Sequence, residues 1–332
     1  MSSVLTVRNL RKYFPVEKSF LDKLLTSQKN FVRAVDDVSF SMNRGDILGL
    51  VGESGSGKST TAKLCLKLIE PTSGTIFFER ADLAKLRGEE LRRFRRNMQL
   101  IFQDPTASLS PRIRVGEAIR HAVSFQGVGT GSEQVEKTKA MLERVGLKPS
   151  SSFYDRFPHE LSGGQRQRVV IARALVLNPK LVIADEPIAM VDVSVRAQIL
   201  ELMLELKKEF DLTYLFITHD LAMANYVCHR IAIMYLGKIV EIGPKEKVFE
   251  SPLHHYTLAL LSSIPVPDPK AKLERMIPKG EIPSPINPPK GCRFHPRCPY
   301  AQTVCSQREP QLEEIRPSHH AACFFHVDGD SL

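Results

Sequence analysis

Residues 52–60, "GESGSGKST", crowd three glycines, a lysine and hydroxyl side chains into nine positions and fit G-x-x-x-x-G-K-[ST] from Gly52 to Ser59. Gly52, Gly55 and Gly57 let the backbone curl until its N–H groups face phosphate oxygens, helped by the dipole of the helix that follows. Lys58 then neutralises the β- and γ-phosphates, and Ser59 offers its hydroxyl to Mg²⁺. Glu53, Ser54, Ser56 and Thr60 complete the loop. The alternative is a chance glycine turn. An apolar run, "DILGLV", precedes the loop and a helical run, "TAKLCLKLI", follows it, which is the context a nucleoside triphosphate site requires.

A second carboxylate is needed to hold the metal. "LVIADEP" delivers Asp185 at the end of four apolar residues, placed to bind Mg²⁺ through water, and Glu186 next to it is placed to polarise an attacking water. Between the two motifs stands "HELSGGQRQRVVIARAL", where Ser162, Gly163 and Gly164 open an amphipathic helix and form a second anion-binding N-terminus. One nucleotide hardly needs two such helices, so the second is expected to serve a nucleotide held by a partner subunit. Simple helix capping is the competing reading.

A third group is made of thiols. Cys292, Cys298, Cys305 and Cys323 follow C-x5-C-x6-C-x17-C, and "GCRFHPRCPYAQTVC" holds three of them. A disulfide staple, a zinc site and an iron–sulfur site are the candidate chemistries. No secretory leader is evident in "MSSVLTVRNLRKYF", so a reducing cytosol is the expected address and a structural disulfide is disfavoured. Four thiolates suit Zn²⁺ or an iron–sulfur cluster, though gaps of five and six are wider than those of zinc knuckles. His295, His319, His320 and His326 are nearby alternative ligands. Cys65 and Cys228 read as small buried hydrophobes, and His254 and His255 as surface or helix-start residues, with metal ligation the alternative for the histidines.

These groups need elements to carry them. Residues 1 to about 103 are rich in short β-type runs. Residues from about 104 to 180 are mostly helical in period, notably "SEQVEKTKAMLERVGL" and "GGQRQRVVIARALVLNP". "KLVIADEP" and "LTYLFITHD" are continuous apolar runs ending in acidic or polar residues, the pattern of buried parallel strands. The amphipathic "SVRAQILELMLELKKEF" between them makes a strand–helix–strand crossover. Residues 266–290 form a proline-rich linker, since 264–291 hold eight prolines in 28 residues. This divides the chain into 1–265, the linker, and a cysteine-cluster region over 291–332. The net charge of +9 is concentrated in part at "RRFRRNMQ", which reads as a solvated helix face. No run of about 18 apolar residues exists to span a membrane.

Taken in order, "GESGSGKST", "LSGGQ", "IADEP" and "ITHD" resemble the nucleotide-binding subunit of an ATP-binding cassette (ABC) transporter. "IFQDPTASLSPR", "FPHELSGGQRQR", "DVSVRAQIL" and the cysteine tail resemble, more narrowly, the oligopeptide/dipeptide importer ATPases. The resemblance implies an α/β P-loop NTPase cassette with a RecA-like core, an antiparallel β subdomain, an inserted helical subdomain and a small Cys-rich C-terminal region. It implies that Phe14, or its neighbour Tyr13, stacks on adenine, and that Gln103 meets Mg²⁺ and the attacking water. It places His219 on the γ-phosphate, Leu161 to Gln165 over the opposite subunit's ATP, and Asp192 at the link between the two sites. The family's S-A-L-D before that link reads Ala189, Met190, Val191, Asp192 in this chain, so the serine hydroxyl is missing. The family's tail is associated with a 4Fe-4S cluster on the cysteines.

The same resemblance implies ATP hydrolysis coupled to solute uptake, with di- and oligopeptides as the expected cargo and oligosaccharides or metal ions as alternatives. It implies two integral membrane permease subunits, an extracytoplasmic solute-binding protein, and a location at the cytoplasmic face of the membrane. The long insert over residues 15–35 resembles one of two paired ATPase types, hence a heterodimer. Nucleic acid is not an expected partner. A soluble ABC ATPase is disfavoured by the single cassette and the lack of heptads. A non-hydrolysing partner subunit has only the altered residues before Asp192 in its support.

Overall fold

The computed structural model describes residues 3–16, 30–264 and 276–327. Most of the insert over residues 15–35 and the first half of the proline-rich linker lie outside the described residues. The chain forms two compact units: one of residues 1–4, 42–47 and 78–217, the other of residues 5–41, 48–77 and 218–332.

In the first unit, three parallel strands run in the order Met98–Ile101, Leu181–Asp185, Thr213–Thr218. Every residue of the latter two is buried, which is why both read as unbroken apolar runs. The pairing of Asp185 with Ile217 sets the carboxylate at the strand's C-terminal end. Helix Val193–Phe210 connects them, burying Ile199, Leu200, Met203 and Leu206 at helical spacing. Helices Val115–Phe125, Gly131–Arg144 and Gly163–Leu175 account for most of the expected helical segment. The Gly131–Arg144 helix starts with a capping box between Thr130 and Glu133.

The arginine-rich run is helix Gly88–Arg96, none of whose residues is buried. Its charge is internally paired where Arg92 meets Glu89 at 2.7 Å. It is the solvated helix face expected of this run, set within a segment otherwise rich in strands.

In the second unit, the strand order is Glu313–Arg316, His319–Ala321, Lys238–Pro244, Arg230–Tyr235, Ile47–Val51. Ile47–Val51 pairs in parallel with Arg230–Tyr235, and the other pairs are antiparallel. A further sheet places Ser3–Pro15 between Phe31–Asn43 and Ser73–Phe78. The cysteine tail is thus knitted into its own chain, with Ala321 opposite Glu241 and His320 opposite Ile242. A fully buried contact pins this edge: His319 Nε2 lies 2.8 Å from Glu241 Oε1, and the same carboxylate accepts from the N–H groups of Leu253 and His254. Cys65 and Cys228 are fully buried, as expected, and burial pushes the Cys65 thiol up to about 12.

His254 and His255 differ from expectation in one respect. They do start helix His255–Ser262, where His254 Nδ1 accepts from the Tyr256 N–H, but both are buried rather than on the surface. Two tail rings pack on them: that of Phe294, itself fully buried, lies 5.9 Å from His254, and that of Tyr300 stacks on His255 at 4.5 Å.

Candidate functional site

The phosphate loop joins strand Ile47–Val51 to helix Lys58–Cys65. Gly57 adopts φ +109°, and a Cβ there would stand 2.2 Å from the Ala34 carbonyl, so only glycine fits. Lys58 is buried and donates to the Gly52 carbonyl at 2.7 Å and the Glu53 carbonyl at 2.9 Å. Its ammonium is therefore already inside the loop. The Ser56 carbonyl accepts from Gly237 N–H in the turn after Arg230–Tyr235, which anchors the loop's middle. Ser54 and Gly55 are exposed; Ser59 and Thr60, in the helix's first turn, are half-buried.

Beside this loop in the same unit, Tyr13 and Phe14 end the first strand. The Tyr13 hydroxyl donates to Asp36 at 2.5 Å. Burial, with the hydrogen bond to the Asp36 carboxylate, pushes Tyr13 up to about 12. Burial alone would raise Asp36, but the Tyr13 hydroxyl and the Arg293 guanidinium outweigh it and hold the carboxyl below its ordinary range. Phe14 is 38% exposed, with the Lys12 ammonium 5.0 Å from its ring centroid. Of the two aromatics, Phe14 has the more accessible ring and Tyr13 the engaged one. His219 follows strand Thr213–Thr218 and is exposed, next to Asp220, which caps helix Leu221–Val227 by accepting from Met223 N–H at 3.1 Å.

In the first unit, Asp185 is buried at its strand end and Glu186 is half-buried just beyond it. Glu186 takes φ +46°, uncommon for a residue with a side chain, and is held there by its N–H donating to the Ile217 carbonyl at 2.9 Å. Its carboxylate accepts from Gln103 Nε2 at 3.1 Å, joining residues 83 positions apart. Leu161 is buried ahead of the helix that Ser162 caps. The Ser162 hydroxyl accepts from Gln165 N–H at 3.2 Å, and Gln165 Oε1 accepts from Ser162 N–H at 3.0 Å. Gly163 and Gly164 occupy the first helical turn, and a Cβ on Gly164 would stand 2.7 Å from Val195 Cγ1. The Ser162–Gln165 segment thus packs on the start of helix Val193–Phe210, where Asp192 is exposed together with Met190 and Val193.

The four tail cysteines line one small cavity with Phe294, Phe324 and Phe325. Gly291, at φ +70°, lets the Cys305 carbonyl approach to 2.3 Å of where a Cβ would lie, and Cys292 N–H donates to that carbonyl at 2.8 Å. All four thiols are free. Burial pushes Cys292 up to about 11 and Cys323 to about 12, the neighbouring thiols adding to it. Among the described residues no three His, Cys, Asp or Glu side chains are grouped to hold a metal ion. The lining donors are soft thiols and the imidazoles of His254, His255 and His295, the types that a thiophilic metal takes.

Sequence reasoning missed two residues here, Arg293 and Arg297, which flank Cys292 and Cys298. Arg293 donates to the Leu236 carbonyl and to Asp36, and Arg297 donates to Glu53 at 2.8 Å. No sequence signal links them to partners more than 240 positions away.

Comparison with known proteins gives this arrangement a family. An ABC transporter model matches residues 35–189, and a model of the oligopeptide/dipeptide transporter C-terminal region matches residues 240–305. The oligopeptide transport ATP-binding protein AppF of Bacillus subtilis is 48% identical over 324 residues, covering 97% of each chain. A Brucella ovis relative is 49% identical over 96% of this chain and 97% of its own. The chain belongs to the ATP-binding subunits of ABC transporters, in the oligopeptide/dipeptide branch. It is an ABC-type ATPase. Among solved structures, a dimeric post-hydrolysis ATP-binding cassette bound to ADP and Pi is 27% identical, with a TM-score of 0.63, covering 73% of this chain and 98% of that one. The cassette protein cbiO1 of Clostridium perfringens, part of an ABC transporter complex, is 26% identical with the same TM-score, covering 76% of this chain and 92% of that one. Among the described residues no helix is long and apolar enough to cross a membrane.

Proposed function

We propose that this ATPase drives the uptake of di- and oligopeptides through a membrane permease. The observation that carries the cargo is the match of the tail to the oligopeptide/dipeptide transporter region, together with the name and near full-length identity of the Bacillus subtilis relative. The chain works at the cytoplasmic face of the membrane with two permease subunits, an extracytoplasmic solute-binding protein and a sister ATPase in a heterodimer. Its cassette spans residues 1–265, residues 266–290 link it to the tail, and 291–332 form the cysteine region.

In this reading Phe14 stacks on adenine, and the residues from Gly52 to Thr60 wrap the phosphates. Lys58 exchanges its carbonyl partners for the β- and γ-phosphates, a change its position inside the loop prepares. Ser59, Asp185 and Gln103 hold Mg²⁺, which supplies charge neutralisation at the transferring phosphoryl group. Glu186 orients and polarises the attacking water, aided by Gln103, and His219 contacts the γ-phosphate. Leu161 to Gln165 cover the ATP of the sister subunit, and Asp192 links the two sites. Cys292, Cys298, Cys305 and Cys323 hold a 4Fe-4S cluster, with zinc as the alternative metal.

The test is reconstitution with the permease subunits and binding protein in liposomes. Peptide-loaded binding protein is expected to stimulate ATP hydrolysis and peptide uptake; stimulation by oligosaccharide or metal ions alone overturns the cargo assignment. For the tail, anaerobic purification is expected to give a brown protein with visible charge-transfer absorbance, and a colourless one overturns the cluster.

A further inference from the structure

Each of the two arginines beside a tail cysteine leaves the tail and reaches the nucleotide-binding loop or its flank. Arg293 is 5% exposed and joins the turn carbonyl of Leu236 to Asp36, the carboxylate that also receives the Tyr13 hydroxyl. Arg297 is 9% exposed and grips Glu53 with both terminal nitrogens, Nη1 to Oε2 at 2.8 Å and Nη2 to Oε1 at 3.3 Å. Its guanidinium is also flanked by two rings, one from strand Arg230–Tyr235 and one from the tail. The carbon at its centre lies 5.9 Å from the Tyr235 ring centroid and 6.0 Å from that of Phe294. Tyr235, Tyr256 and Phe294 in turn pack against one another with centroids 4.5 to 5.5 Å apart.

Glu53 is the acidic residue of the phosphate loop and is gripped at three points. Its carboxylate meets Arg297, its N–H donates to the Tyr256 hydroxyl at 3.0 Å, and its carbonyl accepts from Lys58. A carboxylate in a loop that receives a triphosphate opposes binding by like-charge repulsion unless a cation cancels it. A bidentate guanidinium does so and fixes the carboxylate's direction as well.

We infer that Arg297 is a positioning residue for ATP: it neutralises and orients Glu53, so that the cysteine tail sets the nucleotide affinity of its own chain. The inference rests on the phosphate loop holding ATP and is independent of any metal at the cysteines. It differs from a plain structural strut in the sign of its charge dependence. If Arg297 only braced the fold, removing the Glu53 charge would do further harm. If it cancels that charge, removing the charge repairs the loss.

The experiment measures Mg-ATP binding by equilibrium dialysis, with KM and kcat, on the full chain and on Arg297→Met, Glu53→Gln and the double variant. Arg297→Met is expected to raise Kd and KM by about tenfold with kcat changed less than about twofold. The double variant is expected to lie within about threefold of Glu53→Gln itself, so that Arg297→Met loses its effect once the Glu53 charge is gone. Salt from 0.05 to 0.5 M is expected to shrink the Arg297→Met effect, roughly as screening requires. Arg297→Lys keeps the cation but loses the two-point grip, so it is expected to cost some affinity but less than about tenfold, which preserves the test if the methionine variant does not fold. Arg297→Met binding ATP like the parent, a double variant still about tenfold weaker than Glu53→Gln, or a tenfold loss in Arg297→Lys overturns the inference. A parent chain that binds no ATP overturns the underlying site assignment instead.

Discussion

Gln103 Nε2 donates to Glu186 Oε2 at 3.1 Å, so a residue two beyond one strand holds the carboxylate just beyond another. The two strands, Met98–Ile101 and Leu181–Asp185, are in-register neighbours, with Ile101 opposite Ala184, and this brings the two side chains together. Glu186 is further constrained by its left-handed backbone. The carboxylate's direction is thus set before any nucleotide arrives, which is what a group that orients a water molecule requires.

Replacing Gln103 by alanine removes that restraint without removing the carboxylate. Steady-state hydrolysis is expected to fall by about ten- to a hundredfold, while ATP affinity stays within about threefold of the parent. A parallel measurement of kcat and ATP Kd separates the two effects, and an equal loss in both contradicts the assignment.

The Tyr13–Asp36 pair gives stability a defined pH window. Asp36 has a folded pKa below its ordinary value, so its contribution is present above about pH 4 and is shed as pH falls through the lowered value. Tyr13 is raised to about 12, so its contribution is fully present below the ordinary tyrosine value and is lost as pH rises from there through the raised one. Denaturant unfolding of the parent and of Tyr13→Phe is expected to show a stability difference that is flat near neutrality and shrinks at both extremes. A difference that grows toward acid contradicts the pairing.

The buried Glu241 carboxylate serves three donors at once: His319 from the tail, and the Leu253 and His254 N–H groups. Glu241→Ala leaves all three without an acceptor and is expected to cost about 3–5 kcal/mol. Because His319 belongs to the tail strand, limited proteolysis is expected to cut near residues 310–320 much faster in this variant. Unchanged protection there contradicts the view that Glu241 fastens the tail.

The motifs were legible because each is local. Asp185 and Glu186 follow an apolar run that is itself the strand, and Gly52 to Thr60 carry their turn chemistry within nine residues. The crossover helix was legible because Ile199, Met203 and Leu206 repeat at helical spacing. What was hidden depends on distance along the chain. Arg297 lies 244 positions from Glu53, and His319 lies 78 from Glu241, and in neither pair does a local pattern name the partner. His254 starts its helix as expected, but its burial was hidden, because it depends on Phe294 from the tail, 40 positions on. Helix Gly88–Arg96 was legible from its arginine run as a solvated helix face, and none of its residues is buried.

In the proposed mechanism, hydrolysis depends most directly on the Glu186 carboxylate. Mg-ATP turnover is to be measured for the parent and Glu186→Gln, with ATP binding recorded on the same preparations. The expected result is a loss of hydrolysis of about a hundredfold or more with ATP binding retained. A Glu186→Gln protein that hydrolyses ATP at the parent's rate contradicts the assignment of this carboxylate, and with it the proposed mechanism of the site.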